Sequence, residues 1–331
     1  MKVRRSAPGK IFLCGEYMAT EGGKATLLSA NRSVEVLIER NHTNNNRLYT
    51  SALKKDFIFR INDRSEIEWI GDNPKKFGAI FDIALKVLKV KPSNESFSIL
   101  SSGFFQKDRK IGIGSSSAIA VAITRSINKY YSLNLDEKEE LYSSIEIHRA
   151  FQKHKGSGLD VVTSYIGAPI IECSRKEVET YEWKQLRMPE GIHIGFIKGN
   201  DSANTLEMLT RFEIGKRDKA EFFKEISREM KESLNRLSDA FEEGCQLDIL
   251  KNLKRYSALM IEMDNTLNIG IYTQDDKDAS LLAEEQGILY KPSGAGGGDL
   301  GLIISDEKAS FDQYLENLMI GTMRPIELIK K

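Results

Sequence analysis

Hydrophobic and polar residues alternate in short runs through the first third of the chain, a period that predicts strands. Ala25-Thr26-Leu27-Leu28 and residues 33–38 alternate in part, and residues 57–61 and Ile67–Ile70 follow after polar breaks. From Phe77 the spacing becomes helical. Ile80, Ile83, Ala84, Val87 and Leu88 share one face, and Pro92 stops the run. A strand is predicted over 96–100, helices over about 116–131 and 137–149, and a strand over 192–197. Phe223, Ile226, Met230, Leu234, Leu237 and Phe241 then mark one face of a long helix. That pattern is too short for the heptads of a coiled coil and predicts packing on a core. Residues 211–217 read as a bend or loop before it, and the polar stretch 171–191 as the boundary between two domains, 1–180 and 181–331.

Composition narrows the class. The chain has 331 residues, with 48 Lys and Arg against 48 Asp and Glu. Zero net charge argues against a nucleic-acid partner, whose binding proteins carry a basic footprint. The length exceeds the roughly 150 residues of one domain. Cys14, Cys173 and Cys245 are too few and too scattered for a disulfide framework or a zinc site. No run approaches the ~20 apolar residues of a membrane span, and no apolar signal core follows Met1-Lys2-Val3-Arg4-Arg5. The expectation is a cytoplasmic protein with no membrane partner, a monomer or homodimer.

Three small-residue motifs carry the chemical signal. The first is Ser6-Ala7-Pro8-Gly9-Lys10, running on to Gly15-Glu16-Tyr17. Pro8-Gly9 reads as a turn, and Lys10 either as a surface lysine or as a cation that holds a phosphate. The second is Lys110-Ile111-Gly112-Ile113-Gly114-Ser115-Ser116-Ser117, a loop feeding a helix. Glycines let backbone N–H groups approach a ligand, and a helix start adds unpaired donors and the positive end of a dipole, which together make an anion site. A serine hydroxyl there can cap the helix or reach a magnesium ion; the alternative is a plain glycine turn with a serine cap. It is neither a Walker loop nor a dinucleotide fingerprint. The third motif runs from Gly294 to Gly301 through Gly296, Gly297, Gly298 and Asp299. A structural turn needs one or two glycines, so this density points to function.

In this order and at these separations the motifs resemble the GHMP kinases, across most of the chain. The resemblance implies an α+β protein of the GHMP kinase fold, with an N-terminal α/β domain and a C-terminal ferredoxin-like domain. Four details are similar to the phosphomevalonate kinases of that family: Tyr17 after Gly15-Glu16, Lys110 before the Gly-x-Gly-Ser-Ser loop, Asp299 in the third motif, and His148-x-x-x-Gln152 followed by Gly156-Ser157-Gly158-Leu159-Asp160. Mevalonate kinases carry a magnesium-binding glutamate eleven residues before the aspartate, where this chain has Arg149. Residues 198–205 resemble a substrate segment, with Asn204 in place of Ser or Thr.

The resemblance implies γ-phosphoryl transfer from ATP to 5-phosphomevalonate, with Mg²⁺. Lys10 and Asp160 are then the catalytic pair. Lys110, Gly112, Gly114, Ser115, Ser116 and Ser117 hold ATP, with Ser116 on the metal. Lys10, Tyr17, Ser157, Ser202, Asn204, Thr205, Gly296, Gly297 and Asp299 face the substrate. A phosphate acceptor is already ionised near neutral pH, so Asp160 is expected to position rather than deprotonate. By its residues alone Asp160 is equally a turn or cap residue, Ser202, Asn204 and Thr205 equally cap a helix, and His148 reads as a satisfied structural histidine. Competing readings are a mevalonate kinase, another GHMP small-molecule kinase, and an inactive homologue serving as a binding module. Against the last, Lys10, Asp160 and the Gly-Ser-Ser loop are all present.

Overall fold

A computed structural model describes residues 1–106, 109–177, 180–200, 204–319 and 323–329. The chain forms two compact units: Met1–Lys10, Ser29–Arg109 and Ile113–Gly167 in one, and Ile11–Leu28, Lys110–Gly112 and Ala168–Lys331 in the other. Among the described residues no helix is long and apolar enough to cross a membrane.

The first unit contains part of β1 (Lys2–Cys14) and of β2 (Ala25–Arg40), then β3 (Asn46–Thr50), β4 (Lys55–Ile61), β5 (Ile67–Ile70), α1 (Lys76–Val87), β6 (Glu95–Leu100), the short β7 (Phe105–Gln106) and β8 (Arg109–Lys110), α2 (Ser115–Tyr131), α3 (Glu137–Phe151) and α4 (Leu159–Ile166). Its sheet has the order β2-β6-β3-β4-β5, with β3 parallel to β6 and the other pairs antiparallel. Helices α1 to α4 pack on one another. Phe59, Phe81 and Phe97 join the sheet to α1, the last two 4.9 Å apart between ring centroids. Nearly every residue of α2 from Ser117 to Ile127 is buried, so this helix is apolar on all sides. The hydroxyl of Ser126 donates to the Val36 carbonyl at 2.9 Å and fixes α2 to β2. An Asp136–Glu139 capping box starts α3. Left-handed Gly158 and Gly167 bound α4.

In the second unit the first half of β2 pairs with the hairpin β9 (Ile170–Glu177) and β10 (Thr180–Gln185). Then come β11 (His193–Lys198), α5 (Thr205–Asp218), α6 (Ala220–Glu243), α7 (Gln246–Leu267), α8 (Gln274–Glu285), β12 (Leu289–Pro292), β13 (Leu300–Ser305), α9 (Lys308–Met319) and β14 (Arg324–Ile326). An antiparallel sheet of order β12-β13-β11-β14 carries α8 and α9 through Ile197, Ala279, Ile303, Phe311 and Tyr314.

The six apolar residues expected on one face of the long helix are all buried in α6. Three expectations need correction. Pro8-Gly9 is not a turn but lies inside β1, and the two predicted strands between Ala25 and Ile38 are one strand, β2. Residues 211–217 continue α5; Phe212 is fully buried there and the tertiary contact overrides a charged composition. Separately, much of the polar stretch 171–191 forms the β9–β10 hairpin.

Replacing Leu237, 1% exposed on α6, with alanine is expected to lower stability by about 2–5 kcal/mol. Urea denaturation of wild type and variant measures it.

Candidate active site

The phosphate-type loop ends at Gly114, which caps α2 in the left-handed conformation with φ 72°. The first bond of the helix is Ala118 N–H to the Gly114 carbonyl, 3.2 Å. The N–H groups of Ser115, Ser116 and Ser117 therefore have no intrahelical acceptor and lie at the positive end of a buried helix. A Cβ at Gly114 would stand 2.7 Å from Cε of Lys10 and 2.9 Å from its Cγ, so the lysine stem lies across the place a side chain would take. The backbone is tied as well: Lys10 N–H donates to the Ile113 carbonyl at 2.9 Å. Ser117 is fully buried; its hydroxyl donates to the Gly114 carbonyl at 2.8 Å and accepts from Ser164 at 3.3 Å. Its side chain thus shapes the loop, and what it can offer a ligand is its N–H.

Ser116 sits on the first turn of α2 with its Oγ 3.1 Å from Nε2 of His148. The same nitrogen is 3.4 Å from Oδ2 of Asp160. His148 is on the last turn of α3 and Asp160 on the first turn of α4, so three helices bring these groups together. His148 is fully buried, and burial pushes its pKa down; the carboxylate of Asp160 opposes the shift and the charge of Lys10 adds to it. The ring is therefore neutral at pH 7. A carboxylate only accepts, so the single ring proton belongs on Nε2, facing Asp160 and Ser116. Nδ1 is buried without a hydrogen-bond partner among the described residues and carries the lone pair. His148 is thus not the satisfied histidine expected from its place at a helix end. Asp160 stays partly exposed, and its Oδ1 accepts from the Val161 N–H at 3.0 Å. Ser157 is half-buried just before α4, 3.4 Å from the Leu159 N–H.

In the second unit, Tyr17 holds φ 60°, a strained value for a side-chain-bearing residue. Its ring packs on Phe212 at 5.0 Å, and its hydroxyl donates to the Ala295 carbonyl at 2.7 Å. That hydroxyl joins the first motif to the third. The stronger link is Glu16, whose Oε1 lies 2.5 Å from Nζ of Lys291, both side chains buried. Lys291 also donates to the Pro292 carbonyl at 2.8 Å, and the Tyr256 hydroxyl to the Glu16 carbonyl at 2.7 Å. Gly294, Gly296, Gly297 and Gly298 all have positive φ. A Cβ at Gly296 would stand 2.5 Å from the Ile271 carbonyl oxygen, so backbone meets backbone there. The opposing loop is held by Asp264, which accepts N–H groups of Gly270, Ile271 and Tyr272 at 2.7, 2.9 and 2.9 Å. A Cβ at Gly112 would come within 3.0 Å of Cβ of Asp299, which brings the second and third motifs side by side. Lys110 is exposed at the end of β8. Asn204 caps α5 without a side-chain cap bond, and Asn204 and Thr205 are exposed. Ser202 lies outside the described residues.

Residues 80–168, which span α2 to α4, match the family described as GHMP kinases N terminal domain. The chain therefore carries a GHMP kinase N-terminal domain. It is an α+β phosphotransferase of the GHMP kinase fold. Over 93% of its length the chain is 24% identical to a phosphomevalonate kinase from a Streptomyces species, covering 91% of that protein. Over 94% it is 24% identical to a mevalonate kinase from Thermococcus sibiricus, again covering 91%. A structure of Streptococcus pneumoniae phosphomevalonate kinase with phosphomevalonate and AMPPNP superposes with a TM-score of 0.75, at 17% identity, over 98% of this chain and 100% of that one.

Sequence reasoning missed Lys291 and Asp264. Lys291 directly precedes Pro292 at the mouth of the third motif, and a lysine in an apolar strand was the available signal. Lys291→Ala leaves Glu16 as a buried charge without its partner. An expected loss of about 3–5 kcal/mol follows, read from the denaturation midpoint; an unchanged midpoint contradicts the pairing.

Proposed function

We propose that this GHMP kinase transfers the γ-phosphoryl group of ATP to the phosphate of 5-phosphomevalonate, giving the diphosphate. The observation that carries the phosphotransfer reading is the cluster of Lys10, Ser116, His148 and Asp160 at the start of α2. The acceptor rests on the Streptomyces relative and on the motif details Tyr17, Lys110 and Asp299.

The residues suit ATP and Mg²⁺. Three unpaired N–H groups and a lysine cradle an anion. Ser116 and Asp160 offer hard oxygen donors, and among the described residues no group of three or more His, Cys, Asp or Glu side chains forms a cage. Mg²⁺ is held in this way, by one or two protein oxygens with phosphates and water. Bound there, it would offset negative charge on the phosphates.

The protein's part is positioning. Gly112, Gly114 and the N–H groups of Ser115, Ser116 and Ser117 hold the ATP phosphates, and the Ser116 hydroxyl would hold the metal. Lys10, fixed along Gly114, places its ammonium where charge develops on the transferred group, and Lys110 adds a second cation. Asp160 orients Lys10 and the acceptor. His148 is a positioning residue: its Nε2–H keeps the Asp160 carboxylate and the Ser116 hydroxyl in register. Ser157, Ser202, Asn204, Thr205, Gly296, Gly297 and Asp299 contribute to the acceptor's surroundings, and Tyr17 acts through Ala295. The protein works in the cytoplasm.

The Thermococcus relative supports a second reading, phosphorylation of the mevalonate hydroxyl. ADP release measured side by side decides between them. The proposal expects turnover with 5-phosphomevalonate at least about tenfold above that with mevalonate, a difference of about 1.4 kcal/mol in barrier; the reverse order establishes mevalonate kinase.

Asp160→Asn is expected to lower kcat by about 10²–10³-fold while the affinity for an ATP analogue, measured by calorimetry, stays near wild type. His148→Gln should cost less, and the double variant should be no slower than Asp160→Asn alone, because both changes remove one coupled unit. Multiplicative losses would make His148 merely structural.

A further inference from the structure

At the other end of α2, a cleft of about 690 Å³ opens between the start of β1, the last turns of α2 and the beginning of α3. We infer that it binds a small molecule bearing a diphosphate group. Its lining holds four cations, Arg4, Arg5, Arg125 and Lys129, against the single carboxylate of Glu140. Arg125 to Ser132, which line it, stand ten to seventeen residues past Ser115 at the start of α2, so the cleft lies about 15–25 Å along the helix from the phosphate loop, at 1.5 Å per residue. It is a different place from the active site.

One wall is preorganised. The Arg125 guanidinium donates to the carbonyls of Ser6, at 3.3 Å, and Tyr165, at 2.7 Å, and stacks 4.4 Å above the Tyr165 ring. Glu140 approaches it only to 4.0 Å, and that carboxylate already accepts from Asn128 at 2.7 Å and from the Tyr165 hydroxyl at 3.3 Å. Arg125 is thus fixed in direction with its charge only partly offset. Arg4 pairs with Glu35. Arg5 donates only to the Arg4 carbonyl, and among the described residues neither Arg5 nor Lys129 has an ion-pair partner. Two uncommitted cations and one rigid guanidinium therefore face the same space.

The remaining lining is mostly amide and hydroxyl, from Ser6, Asn128, Ser132 and Asn134, with one apolar residue, Leu135. Such walls suit a hydrated anion and not an apolar ligand. The volume falls in the range of small-molecule sites and exceeds a lone phosphate. Cations spread over two elements fit an anion with more than one phosphoryl group, each able to take charge-assisted hydrogen bonds.

Inorganic pyrophosphate, titrated by calorimetry into the full chain saturated with a non-hydrolysable ATP analogue, tests this. Saturable binding is expected at one per chain. The Arg5→Ala/Lys129→Ala variant, altered only at exposed positions, should bind about a hundredfold more weakly at an unchanged melting temperature, taking roughly tenfold per charge-assisted contact. Inorganic phosphate should bind far more weakly than pyrophosphate. The comparison of wild type with the double variant reads the cleft whether or not the analogue fills the loop, so it stands apart from the ATP proposal. Absence of saturation, binding indifferent to the two substitutions, or equal affinity for phosphate and pyrophosphate would overturn the assignment.

Discussion

The absence of a side chain at Gly114 is the constraint on which the cluster of Lys10, Ser116, His148 and Asp160 depends. A left-handed residue is required to turn the loop into α2, and the space beside it is filled by the stem of Lys10. One residue thereby starts a helix, frees three N–H donors and lays a lysine along them. Gly9 extends the same contact: a Cβ there would stand 2.7 Å from the Ile113 carbonyl. The first strand and the loop before α2 therefore approach at backbone distance over consecutive residues. The all-round burial of α2 keeps its end from moving, and Ser117 ties the turn to Ser164. Asp160 and His148 then need only meet Ser116 on this fixed edge.

The second unit solves a similar problem with charge. Five of the eight residues from Gly294 to Gly301 are glycine, so the third motif has few side chains with which to pack and would be loose alone. Glu16 and Lys291 grip its entrance from opposite motifs, and Asp264 stiffens the loop beneath it by accepting three N–H groups. A buried ion pair adds little net stability over apolar packing, but it tolerates few other arrangements. Tyr17 shows the same demand, since its strained backbone persists only because its ring and hydroxyl are both held.

Much of this was legible in the sequence, and the limits have physical causes. The face of α6 was clear because six apolar residues repeat at helical spacing. The loop before α2 was clear because glycines followed by serines are the chemistry of a helix start. Pro8-Gly9 was misread because both residues favour turns locally, whereas here glycine serves a close approach across to Ile113. The α5 segment around Phe212 was misread because its charges face outward and its buried contacts come from distant residues. Glu16 with Lys291, 275 residues apart, cannot be paired from periodicity, and neither can His148 with Ser116 and Asp160. Each partner is ordinary in its own segment, and only tertiary structure makes the set.

Gly114→Ala probes the central relation directly. The new methyl group strains a φ of 72° and falls on the Lys10 stem, so it displaces the cation without removing any polar group. Turnover measured beside far-UV circular dichroism and melting is the informative experiment. If the grip on the phosphates is built on that missing side chain, kcat falls by about a hundredfold in a protein that remains folded. Wild-type turnover in folded Gly114→Ala would contradict the account.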